Sequence, residues 1–510
     1  MSLFLLFSSI PLSDRRPPAL SRLLSFFVFL FMTAGAAAQL NTTLLAHLPY
    51  EEELNDIWGY AAPDGTEYAL VGTTGGVSIV SLADPAAPAE VAFVPGAFSV
   101  WRDLKTYGTY AYVTTDQPNT KEGLLVIDLS ELPDTVSAFN WRPAPNETDT
   151  LNTCHNLYID EFGVAYLAGC NLNRGGMLFV DVASTPGDPQ LLSFGPAVYA
   201  HDVYTLDNRM YASELFNGQL AIYEVTDKEE VLLLGGIQTP FRFTHNAWTT
   251  DDGRYAFTTD ERANAPVTAF DISDPRDIVE LDQYRPIGTI GSGVIPHNVH
   301  VKDQFLAISY YTDGARIVDA SRPANLVEIA NYDTNDDFSS GFHGAWGLYP
   351  FLPSGVVLVT DIENGLYVLD VDYVRAAWLE GRVRDAASNA AVRDVAVEIV
   401  AEQANAAITD RLGDYRTGLA SSGAFEVVFR HPAYYEKRVP VTLANGEVTA
   451  LDVLLEPKPR YRLGGRIITE ADRAPVAEAL VRLANDDFTY TAQTGADGRF
   501  ELTDVIEGDY

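Results

Sequence analysis

Five of the chain's eight histidines recur at one position of an internal repeat: His155, His201, His245, His297 and His343, each at the start of a predicted strand. Asn55 and Arg102 hold that position in the first two units, and the seven positions lie 47, 53, 46, 44, 52 and 46 residues apart. The next residue is polar in six units (Asp56, Asp103, Asn156, Asp202, Asn246, Asn298) and Gly344 in the seventh. A second set falls at the predicted end of each unit's second strand: Thr73, Asp116, Cys170, Glu214, Asp260, Tyr310 and Asp361. In an antiparallel hairpin that end lies beside the start of the first strand. Each imidazole is therefore expected near a carboxylate or other polar group of its own unit.

Two chemistries fit this pattern. Neutral imidazole with carboxylate is a donor set for Zn²⁺, Cu²⁺ or Fe²⁺. On that reading His155, His201, His245, His297 and His343, with Glu214, Asp260 and Asp361, form a metal or ligand site. Asn55, Arg102 and Asp116 would line the same channel, and Glu214 or Asp260 would be the base if the chain is an enzyme. On the other reading, pairs of His with Asn or Asp satisfy backbone groups and lock each unit to its neighbour. Repetition favours the lock, because catalysis needs one copy of each role. Asn55 and Arg102, which break the ring, favour a site.

The elements that position these residues repeat every 45–50 residues or so. An apolar strand ending in Asp or a small polar residue recurs, as in Gly123–Leu129, Gly176–Val182, Gly314–Ala320 and Gly365–Val371. Several copies run into an Asp-Pro turn, such as Asp84-Pro85 and Asp274-Pro275. Upstream of each copy lie two more strand-like runs, most plainly around the hairpin signal Asp252-Gly253. Four short strands, seven times over, without helical spacing between them, predict an all-β, seven-bladed β-propeller over residues 39–373. In a propeller the first strand of each blade is innermost, so the histidines would ring one mouth of a central channel. Thr43–Pro49 resembles the fourth strand of other units and is predicted to close the last blade.

The repeat phrase resembles the LVIVD-repeat proteins, and the choice-of-anchor B family in particular, with Leu125-Val126-Ile127-Asp128 and Tyr367-Val368-Leu369-Asp370 the best local matches. That resemblance implies an exported bacterial surface protein more firmly than it implies any activity. Beyond Trp378 the pattern changes to Gly381–Asp385, Val395–Val400 and Gly413–Tyr415, and then to a second set containing Thr494-x-x-Asp497-Gly498-x-Phe500. These resemble carboxypeptidase regulatory-like domains, small β-sandwiches grouped with carbohydrate-binding-like folds, at 378–456 and 460–510. The second is read as incomplete. Such modules are structural or adhesive, and no peptidase site accompanies them.

Residues 1–38 read as an export signal, with Arg15, Arg16 and Arg22, the apolar run Leu23–Met32, and Ala36–Ala38 before the cleavage point. No later apolar run is long enough to predict a transmembrane helix. The chain carries a formal net charge of −36, which repels phosphate backbones and argues against nucleic-acid binding. Cys154 and Cys170, the only cysteines, are expected to face each other across the third unit's hairpin as a disulfide. The alternative is a free thiol ligand beside His155. Asp333-x-Asn335-Asp336-Asp337 could hold Ca²⁺ or be a solvated loop. Trp58, Trp101, Trp248 and Trp346 could line a sugar- or peptide-binding mouth or pack in a core. No P-loop, dinucleotide fingerprint, nucleophile elbow or HExxH motif is present. The resulting expectation is a secreted or cell-surface binding or adhesion protein with an extracellular carbohydrate or protein ligand at the propeller mouth. The alternative is a metal-dependent oxidoreductase or hydrolase.

Overall fold

A computed structural model describes residues 39–335, 338–401 and 406–510. The export signal and Asp336-Asp337 of the acidic loop lie outside the described residues. The described chain is all-β, with two 3₁₀ turns and no α-helix. No helix in it is long and apolar enough to cross a membrane.

Residues 42–371 form seven four-stranded antiparallel sheets. Six of them take four consecutive strands; the fifth, for example, uses Thr244–Thr249, Tyr255–Asp260, Val267–Asp271 and Val279–Tyr284. In the seventh, Ala345–Tyr349, Val357–Asp361 and Gly365–Val371 are completed by the N-terminal strand Thr42–Leu48. This strand pairs antiparallel with Gly365–Val371, as the sequence predicts.

Packing explains the repeat phrase. Leu124–Asp128 does not alternate apolar with polar, because both faces of its sheet are covered. Leu124 and Val126 pack with the third sheet's Leu167 and Leu178. Leu125 and Ile127 pack with the first sheet's Leu70 and Ile79. Each such side chain is fully buried, worth about 1.5–3 kcal/mol of transfer free energy. The closing Asp ends the strand and caps its turn: Asp128, Asp181, Asp271 and Asp319 each accept the backbone N–H two residues on, at 2.8–3.0 Å.

Every consecutive pair of sheets shares such a core, and so do the last and the first. Leu54, Ile57 and Val71 of the first sheet pack with Leu358, Leu366 and Val368 of the seventh. The seam repeats one hydrogen bond. A second-strand threonine donates to the backbone carbonyl that opens the next sheet: Thr114 to His155 at 3.2 Å, Thr259 to His297 at 2.6 Å, and Thr360 back to Asn55 at 2.6 Å.

Beyond the seventh sheet, Ala377–Asp385 belongs to the first of two further four-stranded sheets and packs against the sixth sheet. There the Trp378 indole donates to the Asn325 carbonyl, and Arg322 pairs with Glu380 at 2.8 Å. Beyond residue 459 lie two two-stranded sheets, Arg460–Arg466 with Arg499–Ile506 and Leu480–Ala484 with Thr489–Gln493.

Candidate functional site

The register between first and second strands fixes which residues are equivalent. Asp103 lies opposite Thr114 in the second sheet, one step beyond the pair Leu104–Val113, and Asp202 lies opposite Ser213 in the fourth. Asn246 lies opposite Thr259 in the fifth sheet and Gly347 opposite Thr360 in the seventh. The residue before each is Arg102, His201, His245 and Trp346. The seventh member of the ring is therefore Trp346-Gly347, not His343-Gly344.

Three layers follow down the inner strands. The uppermost holds four imidazoles in sequence. His155 and His201 have ring centroids 4.0 Å apart, His201 and His245 4.1 Å, and His245 and His297 4.5 Å. Trp346 continues the series 5.0 Å from His297, and Trp101 stands 6.5 Å from His155. Together with Arg102 and the polar layer below, these side chains line a cavity of about 30 Å³. That is room for a water or an ion, not for a sugar ring.

The second layer locks the sheets together. Asp103, Asn156 and Asn246 each accept a backbone N–H from the next sheet's first strand, from Leu157 at 2.8 Å, Val203 at 3.4 Å and Val299 at 2.9 Å. Asp202 accepts from the amides of Asn156 and Asn246 at 3.0 and 3.1 Å. Burial pushes its carboxyl up to about 7, with the Asp103 charge adding to the effect. At Gly347 a Cβ would lie 2.6 Å from Asp56 Oδ1, so only glycine leaves that carboxylate its place.

The third layer comprises Trp58, Lys105, Tyr158, Tyr204, Trp248, His300 and Tyr349, each three positions beyond the ring residue. Side chains of non-neighbouring sheets meet here: Tyr158 on Trp248 at 5.6 Å, and Trp58 near His300 at 6.3 Å. Lys105 pairs with Asp103, lies 4.0 Å from Asp56, and sits 4.4 Å over the Trp58 ring. Burial pulls its ammonium down, but Asp103 and Asp56 outweigh it and the net shift is upward.

The carboxylates depart from the sequence expectation. Glu214 accepts from Tyr223, Asn217 and Gln219 of its own sheet. Asp260 accepts from Thr239 and from the Phe241 and Phe243 amides, and Asp361 from Thr334 and the Glu363 and Asn364 amides. All three hold loops rather than facing the imidazoles. His343 lies apart, stacked on Phe338 at 3.8 Å and paired with Glu363 at 2.6 Å. Asn55 is fully buried beneath Gly72, and Asp56 lines the cavity instead. Asp116 does reach an imidazole, His155 Nδ1 at 2.8 Å, but across the seam from the preceding sheet rather than within its own.

The carboxylate that joins the cluster is Glu261, one residue beyond the repeat-equivalent Asp260. Its Oε1 lies 3.6 Å from His245 Nε2 and 3.9 Å from His297 Nε2, and accepts the Tyr311 hydroxyl at 2.7 Å. Among the described residues these three form the one group of His, Cys, Asp or Glu ligand atoms lying within 4.8 Å of one another. His245 Nδ1 faces the His297 carbonyl at 3.1 Å, and His297 Nδ1 faces the Trp346 carbonyl at 2.5 Å. A carbonyl only accepts, so each Nδ1 carries the hydrogen and each Nε2 presents a lone pair. Burial pushes both rings down to about 3. Burial likewise lowers His201, helped by His155 and His245, and its buried Nδ1 has no hydrogen-bond partner.

Cys154 and Cys170 form the expected disulfide, S–S 2.05 Å, beside His155. Trp101 and Trp346 line the mouth, whereas Trp58 and Trp248 belong to the aromatic layer beneath. In the acidic loop, Asp333 and Asn335 accept backbone N–H groups of their own turn.

Residues 101–137 and 296–334 match the model of the LVIVD repeat, and residues 379–456 that of the carboxypeptidase regulatory-like domain. The chain thus carries LVIVD repeats followed by a carboxypeptidase regulatory-like domain. No curated protein matches it.

Proposed function

We propose that the chain is an exported binding protein of the choice-of-anchor B kind, whose seven sheets close into a seven-bladed propeller and whose histidine-lined mouth is the binding surface. The core and the Thr360–Asn55 bond shared by the last and first sheets support the closed ring. The signal-like residues 1–38 and the disulfide support a secreted or cell-surface location. On this reading residues 39–373 form the propeller, and the units at 378–456 and 460–510 are spacer or adhesive modules.

One observation carries the binding role. The segments leading into the first strands of the second, sixth and seventh sheets expose Phe98 at 62%, Ile290 at 60% and Phe342 at 56%, and the turn after Glu214 exposes Phe216 at 75%. Trp101 lies at the cavity beside His155. Large exposed apolar side chains on the same end of the sheets as a polar cavity mark an interaction face. The small cavity excludes a buried sugar, so the partner covers the mouth. The apolar rim fits a protein surface better than a polar glycan. Glu214 and Asp260, the bases a hydrolytic reading requires, are engaged by their own loops, which favours binding over catalysis.

The test is an array of extracellular proteins and glycans probed with the full chain lacking residues 1–38. Binding to a protein target is expected, and a Trp101→Ala, Phe216→Ala variant should weaken it about 30-fold, as for hot-spot aromatics. Binding confined to glycans, or unchanged in that variant, would overturn the proposal.

A further inference from the structure

We infer that His245, His297 and Glu261 bind one divalent transition-metal ion, with Zn²⁺ the ion of choice, at the base of the mouth. The inference deepens the binding-face reading and rests on it only for the ion's purpose.

The argument is one of unmatched acceptors. Each imidazole's hydrogen sits on Nδ1, where a backbone carbonyl takes it. Both Nε2 lone pairs then face the same carboxylate oxygen, at 3.6 and 3.9 Å. Three acceptors converge, and the one donor the hydrogen bonds place there is the Tyr311 hydroxyl on Glu261. Lone pairs aimed at one another are repulsive unless a cation lies between them. Protonating a ring would bury a charge, a costly way to relieve the repulsion. A metal ion relieves it directly. It also finds its imidazoles already oriented, because an Nδ1–H held by a carbonyl is the usual support of a metal-bound histidine.

Distances agree. Tetrahedral zinc with bonds of about 2.0–2.1 Å places its ligand atoms roughly 3.3 Å apart. The two observed separations exceed that by a few tenths of an ångström, within reach of side-chain adjustment. The adjoining cavity of about 30 Å³, lined by both imidazoles, has room for a water beside the ion. Two imidazoles and one carboxylate leave coordination open toward the mouth, so an oxygen or nitrogen donor on the partner could complete the shell. His201, 4.1 Å from His245, is the protein's own candidate for that fourth place.

To test this, the full chain lacking residues 1–38 is stripped with EDTA and titrated with Zn²⁺ against a chromophoric chelator. One ion per chain is expected. Glu261→Gln should weaken binding at least 100-fold, and a His245→Ala, His297→Ala double variant should abolish it. His343→Ala and His47→Ala, which remove histidines outside the cluster, should leave it unchanged. Co²⁺ loading of the unmutated chain gives a readout independent of any variant's folding, since a tetrahedral site yields visible d–d bands. A flat Zn²⁺ titration of a chain with intact circular dichroism would overturn the inference, as would affinity unchanged in Glu261→Gln. Repeating the array in EDTA separates the two proposals. Retained protein binding with no zinc site leaves the binding face standing alone. Zinc binding with an array response indifferent to Trp101 and Phe216 leaves only the metal site.

Discussion

Two stretches of the repeat occupy the same register position and solve opposite problems. In the second sheet Arg102 enters the position, and its guanidinium is fully buried. It donates to the Thr73 carbonyl at 2.9 Å and to Glu122 at 3.2 Å, and also reaches the Ala97 carbonyl. Donors and acceptors balance there, and the side chain acts as a strut. In the fifth and sixth sheets His245 and His297 enter it and meet Glu261 with lone pairs rather than hydrogens. The repeat builds one scaffold, and the residue placed at this position decides whether hydrogen bonds satisfy it, as at Arg102, or acceptors converge on it, as at His245 and His297.

The sharpest way to break that contrast is to remove each carboxylate in turn. Glu122→Ala strands a buried guanidinium and should cost about 3–5 kcal/mol in urea unfolding. Glu261→Ala in the metal-free chain removes a repulsive partner and should cost less than about 1 kcal/mol, despite the loss of the Tyr311 hydrogen bond. Equal costs would mean that both sites are struts.

Acid should act on the histidine side first. Burial holds His245, His297 and His300 near pKa 3, whereas the unfolded chain takes up protons near pH 6.5. Between those values the unfolded state binds more protons, so their contribution is lost as pH falls from about 6.5 toward 3. Asp202, raised to about 7, and Asp56, also raised by burial, oppose this: the folded chain keeps protons there that the unfolded chain has released above about pH 4. The net loss should be on the order of 1–3 kcal/mol per pH unit between pH 6.5 and 4 in EDTA. Asp202→Asn, which keeps an acceptor but removes the opposing titration, should steepen it. Urea midpoints measured across this range check both statements.

A smaller expected effect than that of Glu122→Ala concerns the seams. Thr360→Val and Thr259→Val each remove a hydrogen bond to the next sheet's opening carbonyl, and Thr360→Val also removes the acceptor of the Gly347 N–H. If the last and first sheets are joined as the fifth and sixth are, Thr259→Val should cost about 1 kcal/mol in the same assay and Thr360→Val at least as much. A silent Thr360→Val would open the ring.

The sequence carried the sheets plainly, because the third strand of each is buried on both faces and its phrase recurs without interruption. It carried four of the ring histidines for the same reason. It misled at His343, where the chain enters the seventh sheet three residues later and the register shifts between Ala345 and Gly347. Trp346 shows no likeness to histidine by which the repeat could be aligned. It also misled at the carboxylates. The repeat singled out Asp260, the last residue of its strand, but one step along a strand turns a side chain to the opposite side. Asp260 faces its loop and Glu261 the imidazoles. The adjacent acidic pair was the available signal, and only the register says which of the two turns inward.

X-ray absorption at the zinc edge of the loaded, full-length chain tests the central claim most directly. The account predicts first-shell nitrogen and oxygen at about 2.0–2.1 Å with outer-shell scattering from two imidazoles, or three if His201 closes the shell. A spectrum lacking imidazole scattering, or one indifferent to loss of His245 and His297, would contradict it.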